Sequence, residues 1–178
     1  MKTRLAGPDD LDAVMALYDS TIDAMAGTPF DACWRRDFHP TRASVRAFMD
    51  GHGLIIGIED SKIVAVACLD HDLGYDLEEV YGPIPWQVEA SCDRVSVIHL
   101  LAVDPRLERR GLGRLMLDAC VAHARSQGAL VCRLDVITTN LPAVALYEHY
   151  GFKTLATGTR DLSDEFARIP FAVMELVL

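Results

Sequence analysis

The chain has 178 residues, of which 51% are hydrophobic and 24% are charged, and these values are typical of one globular domain with a substantial buried core. Its 17 Lys and Arg residues against 26 Asp and Glu residues give a net charge of −9. That balance argues against nucleic-acid binding, which depends on a basic face, and favours a cationic or neutral small substrate.

The five cysteines are odd in number and include no Cys-x-x-Cys pair, so they indicate reduced and mostly buried thiols. The histidines and cysteines have no spacing typical of a metal site. No apolar run approaches the roughly 18 residues that would predict a membrane span. We therefore expect a single cytoplasmic domain over residues 1–178, with no signal peptide, no metal and no membrane partner.

The first half of the chain predicts two helices followed by a hairpin. Apolar residues at three- and four-residue spacing indicate the helices, and apolar runs on both sides of Asp60-Ser61 indicate the hairpin. The predicted elements are a strand at 1–5, a helix at 8–25, a helix capped by Thr41 and ended by Gly51, and strands at 54–59 and 63–69. Residues 70–92 then form a long polar connection, and connections of this length are often functional.

The second half of the chain alternates strands with helices. The predicted elements are a strand at 95–103, an amphipathic helix at 111–126, a strand at 130–137, a helix at 142–150, and strands at 152–159 and 171–178. Gly151 is suited to end the fourth helix in a left-handed conformation. The complete order predicts an α/β fold with one mixed sheet.

The turn before the helix at 111–126 is suited to hold a phosphate. A helix N-terminus offers unpaired backbone N–H groups and partial positive charge, and Gly111 and Gly113 let an anion approach closely. Arg109, Arg110 and Arg114 add positive charge there. The alternative is a tight turn with solvated arginines. The segment lacks the G-K-S/T of nucleoside triphosphatases and the third glycine of dinucleotide-binding proteins, which argues against both classes.

The segment from His99 to Leu117 resembles the acetyl-CoA motif of the GCN5-related N-acetyltransferase (GNAT) superfamily. That motif reads Q/R-x-x-G-x-G/A and follows a strand that ends near V-x-P. Glu108 stands where the family usually has Gln or Arg. We expect the Glu108 side chain to point outward, with Arg109 or Arg110 compensating for its charge.

The segment from Leu134 to Phe152 resembles the second motif of the same family, N-x-x-A-x-x-x-Y-x-x-x-G-F. In that family the Asn, here Asn140, contacts the cofactor arm, and the Tyr, here Tyr147, protonates the departing thiolate. Each residue also has a structural alternative, because Asn140 can cap the helix and Tyr147 can pack in the core. The two motifs in the correct order imply a GNAT-like fold, a central and mostly antiparallel sheet flanked by helices.

The resemblance also implies which residues hold acetyl-CoA, the expected acyl donor. They come from the strand end, the glycine-rich turn and the second motif: Leu101, Ala102, Val103, Arg109, Arg110, Gly111, Leu112, Gly113, Arg114, Asn140, Ala143 and Tyr147. A backbone N–H near Leu101 is expected to stabilise the oxyanion of the reaction.

His99 is the candidate catalytic base. An alkylamine with an ordinary pKa of about 10.4 is mostly charged at neutral pH, so a base must remove a proton before the amine can attack. His99 lies on the predicted strand 95–103, two residues before its Leu101-Ala102-Val103 end. A histidine at that relative position is implicated in catalysis in the arylalkylamine branch of the family. The alternative is a buried histidine with a structural hydrogen bond; the other five histidines have no comparable context.

Two acidic loops could steer a cationic amine towards the site, although ordinary solvated loop charge is the interpretation that we favour. Their acidic residues are Asp70, Asp72, Asp76, Glu78 and Glu79 in the first loop and Asp161, Asp164 and Glu165 in the second. An aromatic group could form an apolar lid over the acceptor, or belong to the core or to a dimer contact. Its members are Phe30, Trp34, Phe38 and Trp86.

The sequence as a whole predicts an enzyme that moves an acetyl group from acetyl-CoA to a primary amine of a small molecule. Two other functions remain open, a protein or peptide N-acetyltransferase and a non-catalytic acyl-CoA-binding module. Because members of the family often pair, a homodimer is a further expectation.

Overall fold

The computed structural model describes residues 1–107, 109–163 and 167–178, so the predictions on Glu108, Asp164 and Glu165 fall outside the described residues. The strands are β1 (Lys2–Leu5), β2 (Leu54–Glu59), β3 (Lys62–Asp70), β4 (Val95–Val103), β5 (Val131–Ile137), β6 (Lys153–Arg160) and β7 (Ile169–Val177). The helices are α1 (Leu11–Met25), α2 (Arg42–Asp50), α3 (Leu77–Tyr81), α4 (Leu112–Ser126) and α5 (Leu141–Tyr150).

The strands form one seven-stranded sheet in the order β1-β2-β3-β4-β5-β7-β6. All neighbouring strands are antiparallel except β4 and β5, which are parallel. The predicted mixed and mostly antiparallel sheet is therefore confirmed. Because β4 and β5 run in the same direction, their carboxyl ends lie at the same edge, where α4 and α5 begin.

The sheet is covered by helices on both faces, and β3 shows how its residues divide between them. Ala65 and Ala67 pack in the cluster formed with α4 and α5, whereas Val66 and Cys68 pack in the cluster formed with α1 and α2. Successive side chains of a strand point to opposite faces, so a strand covered twice needs a continuous apolar run.

The predicted helix ends are confirmed at three positions. Thr41 Oγ1 accepts a hydrogen bond from the Ser44 N–H at 3.0 Å at the start of α2. Asn140 Oδ1 accepts one from the Ala143 N–H at 3.3 Å at the start of α5. Gly151, with φ of 118°, ends α5 in the left-handed region.

The prediction that residues 70–92 are a connection without regular structure was wrong in part, because the segment contains α3. Asp76 Oδ1 accepts hydrogen bonds from the N–H groups of Glu78 and Glu79, at 2.9 and 3.1 Å, and so starts a helix too short to show a periodic pattern. The helix lies close against β6, since a Cβ on Gly158 would stand 2.2 Å from the Val80 carbonyl oxygen.

A buried ion pair fixes the end of the same connection to the sheet. Glu175 on β7 is fully buried, and its carboxylate accepts hydrogen bonds from Arg133 Nε at 2.9 Å and from the Gln87 N–H at 2.7 Å. The Arg133 guanidinium lies 3.6 Å from the ring centre of Trp86. We call Trp86, Gln87, Arg133 and Glu175 the anchor cluster.

Four of the five cysteines are buried and Cys92 is exposed, as the sequence predicted for mostly buried thiols. Burial raises the pKa of the Cys68 and Cys132 thiols to about 12, so both stay protonated near neutral pH. Among the described residues, no helix combines the length and the apolar character that crossing a membrane requires.

Candidate active site

A gap opens in the middle of the sheet where β4 and β5 diverge. The two strands pair only from Val95 to Val97 on the β4 side, although both continue well beyond that point. Just beyond the last pair, β4 has a β-bulge against β3 at Leu100, whose φ of 52° lies in the left-handed region. The Tyr18 hydroxyl of α1 donates a hydrogen bond to the Leu100 carbonyl oxygen at 3.0 Å and so stabilises the bulge.

The β4 edge that faces this gap carries backbone donors. The Asp104 N–H donates to the Val64 carbonyl oxygen at 2.8 Å, towards β3. Because N–H groups alternate along an extended strand, that of Val103 points the opposite way, towards the gap, and Leu101, which follows the bulge, has no register partner on β3. Ala102 pairs with β3 instead and is buried in the core, so it supports the edge without donating from it.

The N-terminus of α4 leaves further backbone donors open. Gly111 begins the helix with φ of 76° and provides no side-chain cap, and the first hydrogen bond of the helix runs from the Leu115 N–H to the Gly111 carbonyl oxygen at 3.1 Å. The N–H groups of Leu112, Gly113 and Arg114 precede that bond and therefore have no partner within the helix. This arrangement is suited to bind an anion.

The side chains around that turn have more local contacts than the sequence indicated. A Cβ on Gly113 would lie 3.0 Å from Leu146, so this glycine lets α4 and α5 pack closely. Arg110 forms an ion pair with Glu59 of β2 at 3.1 Å, and the Arg114 guanidinium lies 5.4 Å from the ring centre of Tyr150. Arg109 is exposed and adopts φ of 61°.

The second motif lies on the opposite wall of the gap, on α5. Asn140, Ala143 and Tyr147 all line one cleft, and Asn140 also caps the helix, so its structural alternative is observed. Tyr147 is 8% exposed, and its ring packs 5.8 Å from that of Phe152. Burial raises the pKa of the Tyr147 hydroxyl well above its ordinary value, so this group keeps its proton at every physiological pH.

His99 of β4 also lines this cleft, and it is paired with a carboxylate. Its Nε2 lies 2.8 Å from Asp70 Oδ1, and its ring lies 5.4 Å from that of Phe48. Since Nε2 is occupied, Nδ1 is the nitrogen left to exchange a proton in the cleft. Asp70 is the last residue of β3 and stands beside β4, so a residue assigned to a solvated loop is in fact the partner of His99.

The cleft that these residues line has a volume of about 470 Å³, within the range of small-molecule sites. Its walls come from α1, α2, β4, β5, α5 and the segment between α1 and α2. The apolar side chains that face it at the α1 and α2 side include Met25, Trp34, Phe38 and Phe48.

Three further polar residues of the cleft were missed by the sequence interpretation, which gave His39 no role and did not discuss Asp135 or Arg160. Arg160 Nη1 donates to Asp135 Oδ2 at 3.0 Å. Burial lowers the pKa of His39, and the charges of Asp135, His99 and Arg160 act on it to a smaller extent. The strand pattern held one signal, because Arg133 and Asp135 are alternate polar residues in the otherwise apolar β5.

The acidic loops have local structural roles. Asp72 accepts the Gly74 N–H at 3.0 Å, Asp76 caps α3, and Asp161 accepts the Arg168 N–H. Of the described acidic residues assigned to these loops, none lines the cleft, and only Asp70 touches it through His99. The favoured interpretation, ordinary loop charge, agrees with these contacts.

The aromatic group is divided. Trp34 and Phe38 line the cleft, whereas Trp86 is stacked on Arg133 in the anchor cluster and Phe30 is exposed outside the cleft. The suggestion of one four-residue aromatic lid was therefore wrong. Trp86 lies apart from the other three aromatic residues because the buried Glu175 binds the neighbouring Gln87 and Arg133, and these contacts hold the Trp86 segment against β5 and β7.

Comparisons with known proteins agree with this geometry. A family model described as "Acetyltransferase (GNAT) family" matches residues 16–152. The mycothiol acetyltransferase of Acidothermus cellulolyticus is 28% identical over 163 residues, which make up 88% of this chain and 45% of that protein. The ribosomal protein bS18-alanine N-acetyltransferase of Salmonella typhimurium is 42% identical over 52 residues, 29% of this chain and 35% of that protein.

The chain thus spans less than half the length of these two relatives. Among solved structures, yncA from Salmonella typhimurium with its cofactor acetyl-CoA matches at a TM-score of 0.73 and 19% identity, over 100% of this chain and 94% of that one. This likeness confirms the expected fold. Because the family model covers well over half of its residues, the chain belongs to the acetyltransferase (GNAT) family.

Proposed function

We propose that the protein is an acetyl-CoA-dependent N-acetyltransferase that acetylates a primary amine of a small molecule. One observation carries the proposal: beside the gap between β4 and β5 lies a cleft lined by Tyr147 and by His99, and His99 is paired with Asp70. Backbone donors beside an acid and a base are what acyl transfer to an amine requires.

We call the α4 N-terminus, the β4 edge and the second-motif residues of α5 the donor half of the site. The N–H groups of Leu112 to Arg114 are suited to hold the pyrophosphate, and the edge N–H groups of Leu101 and Val103 to hold the pantetheine arm. Acetyl-CoA, when bound there, supplies the acetyl group and a thiolate leaving group. The residues present fit that ligand because the α4 N-terminus and the β4 edge both offer backbone donors.

We call the cleft residues His39, His99, Asp135 and Arg160, together with Asp70, which pairs with His99, the acceptor half. In the proposed reaction, His99 takes a proton from the acceptor ammonium at Nδ1, directly or through one water. Asp70 accepts the hydrogen bond from Nε2, fixes the tautomer and stabilises the imidazolium that forms. Asp70 is therefore a positioning residue that acts through His99.

The remaining steps belong to Leu101 and Tyr147. The Leu101 N–H follows the bulge, where β4 has no register partner on β3, and is suited to stabilise the oxyanion that develops on the acetyl carbonyl. The buried Tyr147 hydroxyl keeps its proton and is suited to donate it to the sulfur as the thioester bond breaks. The amine nitrogen thus gains the acetyl group, and the sulfur leaves as a thiol.

The proposal is tested by measuring thiol release from acetyl-CoA with a panel of small primary amines and a panel of peptides. Turnover with small amines, sharply reduced in Tyr147→Phe, is the expected result. Acetylation of peptide N-termini alone would instead indicate a protein N-acetyltransferase. Thermal stabilisation by acetyl-CoA without thiol release from any acceptor would indicate a binding module.

A further inference from the structure

The acceptor half contains a cation that the proposed acetyl transfer does not use. Arg160 is the last residue of β6, lines the cleft, and leaves 23% of its side-chain surface exposed. Its guanidinium lies between two rings, 3.5 Å from the ring centre of Tyr75 and 5.0 Å from that of Phe171. Arg160 is thus held by two aromatic rings at the wall of the cleft.

Only part of the hydrogen-bonding capacity of Arg160 is taken up. Its Nη1 donates to Asp135 Oδ2 at 3.0 Å, and the described contacts give Nε and Nη2 no partner. Among the described residues, every fully buried side-chain nitrogen or oxygen has a hydrogen-bond partner. Nε and Nη2 are therefore not fully buried, and Arg160 is one of the residues that line the cleft.

Asp135 adds a negative charge beside the positive charge of Arg160, so this part of the cleft carries both signs. Its Oδ2 accepts hydrogen bonds from Arg160 and from the Tyr75 hydroxyl, both at 3.0 Å, so the pair is held in one geometry. A simple cation in front of the pair is repelled by Arg160, and a simple anion is repelled by Asp135. A zwitterion, with an ammonium and a carboxylate close together, is attracted by both groups.

The pair and the proposed base line the same cleft. His39 lines it as well, and the charges of Asp135, His99 and Arg160 all act on His39. A guanidinium binds a carboxylate through two parallel N–H groups, and it does so best where its own orientation is fixed. The stacking of Arg160 on Tyr75 provides that fixed orientation.

We propose that Arg160 selects the acceptor by binding a carboxylate next to the amine, so that the substrate class is a free α-amino acid or a close analogue. The inference rests on the proposed function and deepens it. The apolar side of the cleft, with Trp34, Phe38 and Phe48, then receives the amino-acid side chain. An apolar or aromatic side chain is expected there.

The test compares three acceptors with the same side chain: L-phenylalanine, L-phenylalaninamide and 2-phenylethylamine. Thiol release is measured with saturating acetyl-CoA, and kcat/KM is expressed per neutral amine so that differences in amine pKa do not mislead. The wild type is expected to prefer L-phenylalanine. Arg160→Gln is expected to lower its kcat/KM about 10- to 100-fold, mainly through KM, which corresponds to a lost charge-assisted bidentate contact.

Two variants separate this role from a structural one. Arg46→Gln is the matched control, because Arg46 pairs with Asp50 at 3.5 Å on the exposed face of α2, and its kinetics should equal those of the wild type. Arg160→Gln with Asp135→Asn removes the carboxylate that the single variant leaves without its cation. The double variant should also lose the preference for L-phenylalanine while it still acetylates 2-phenylethylamine.

Equal kcat/KM for the three acceptors in the wild type would overturn the inference and leave the proposed function intact, as would a preference that survives Arg160→Gln. If none of the three is acetylated, the panel of small amines still decides the proposed function, and binding decides the question about Arg160. L-Phenylalanine should then raise the melting temperature of the wild type but not of Arg160→Gln. No stabilisation of the wild type would overturn the carboxylate site as well.

Discussion

The donor half and the acceptor half of the site are built in different ways. The donor half uses main-chain N–H groups, whose directions follow from strand alternation on β4 and from Gly111 at the start of α4. The acceptor half uses side chains from β3, β4, β5, β6 and the segment before α2. A backbone site requires particular residues at fixed spacing and leaves a motif, whereas a side-chain site can be assembled from distant positions and leaves none.

The largest expected effect lies where the two halves meet, at Tyr147. Tyr147→Phe should lower kcat by about 100-fold or more, the size typical of a lost general acid, because only the hydroxyl is removed. Packing against Phe152 remains, so acetyl-CoA binding should stay nearly unchanged. Steady-state kinetics and calorimetric titration with acetyl-CoA measure the two quantities. Unchanged turnover at saturating acetyl-CoA would rule out the assignment.

The next effect tests the acceptor half through Asp70. Asp70→Asn should lower kcat by about 10- to 100-fold, since the His99 tautomer and the imidazolium lose their support. Asp70→Glu should restore part of the loss, and the KM for acetyl-CoA should stay the same in both variants. A purely structural role for Asp70 would instead show a lower melting temperature with full turnover in the folded fraction.

A smaller effect tests the donor half through its backbone. Gly111→Ala places a Cβ at φ of 76°, which costs roughly 1–2 kcal/mol and shifts the first turn of α4. The KM for acetyl-CoA should rise about tenfold, a free-energy change of similar size, while the acceptor KM stays constant. Gly128→Ala is the matched control, with φ of 83° just after the same helix.

Gly128→Ala should destabilise the protein to a similar extent without changing the KM for acetyl-CoA. An equal rise of that KM in both variants would mean that the effect comes from general destabilisation of α4. The two glycines thus distinguish a backbone that binds the donor from a backbone that merely ends a helix.

The smallest expected effect is the pH dependence of the free energy of unfolding that comes from His39 in the acceptor half. Burial lowers the pKa of His39 in the folded protein below its unfolded value of about 6.5, so the unfolded chain binds more protons as the pH falls through that value. The free energy of unfolding should therefore decrease from pH 7.5 to pH 5.5. His39→Gln should reduce this slope in urea unfolding, and an unchanged slope would contradict the lowered pKa of His39.

Features that depend on neighbouring residues could be predicted from the sequence, whereas features that depend on contacts between distant residues could not. The elements and the sheet class were predicted because apolar spacing and cap residues such as Thr41 and Gly151 act locally along the chain. α3 was missed because Asp76 starts a single turn, too short for a period to appear. The pairing of His99 with Asp70 depends on the register of β3 against β4, which no local pattern contains.

The donor half illustrates a different limit. The glycines and arginines of the turn could be predicted to surround an anion, but the split between β4 and β5 could not. Close to that split lies Leu100, which has a left-handed φ that leucine rarely adopts and that the sequence does not predict. The Tyr18 hydroxyl of α1 binds its carbonyl oxygen. The departures from pattern thus lie at the centre of the candidate site.

The anchor cluster has a consequence for how the acceptor side moves. If the segment around Trp86 and Gln87 left the sheet, the fully buried Glu175 would lose the Gln87 hydrogen bond and Arg133 would lose its ring contact, and an unmade buried hydrogen bond costs about 1–3 kcal/mol. The amide of Gln87 should therefore exchange hydrogen more slowly than the amides of an exposed loop. Tyr75, and with it the orientation of Arg160, is then preorganised before any acceptor arrives.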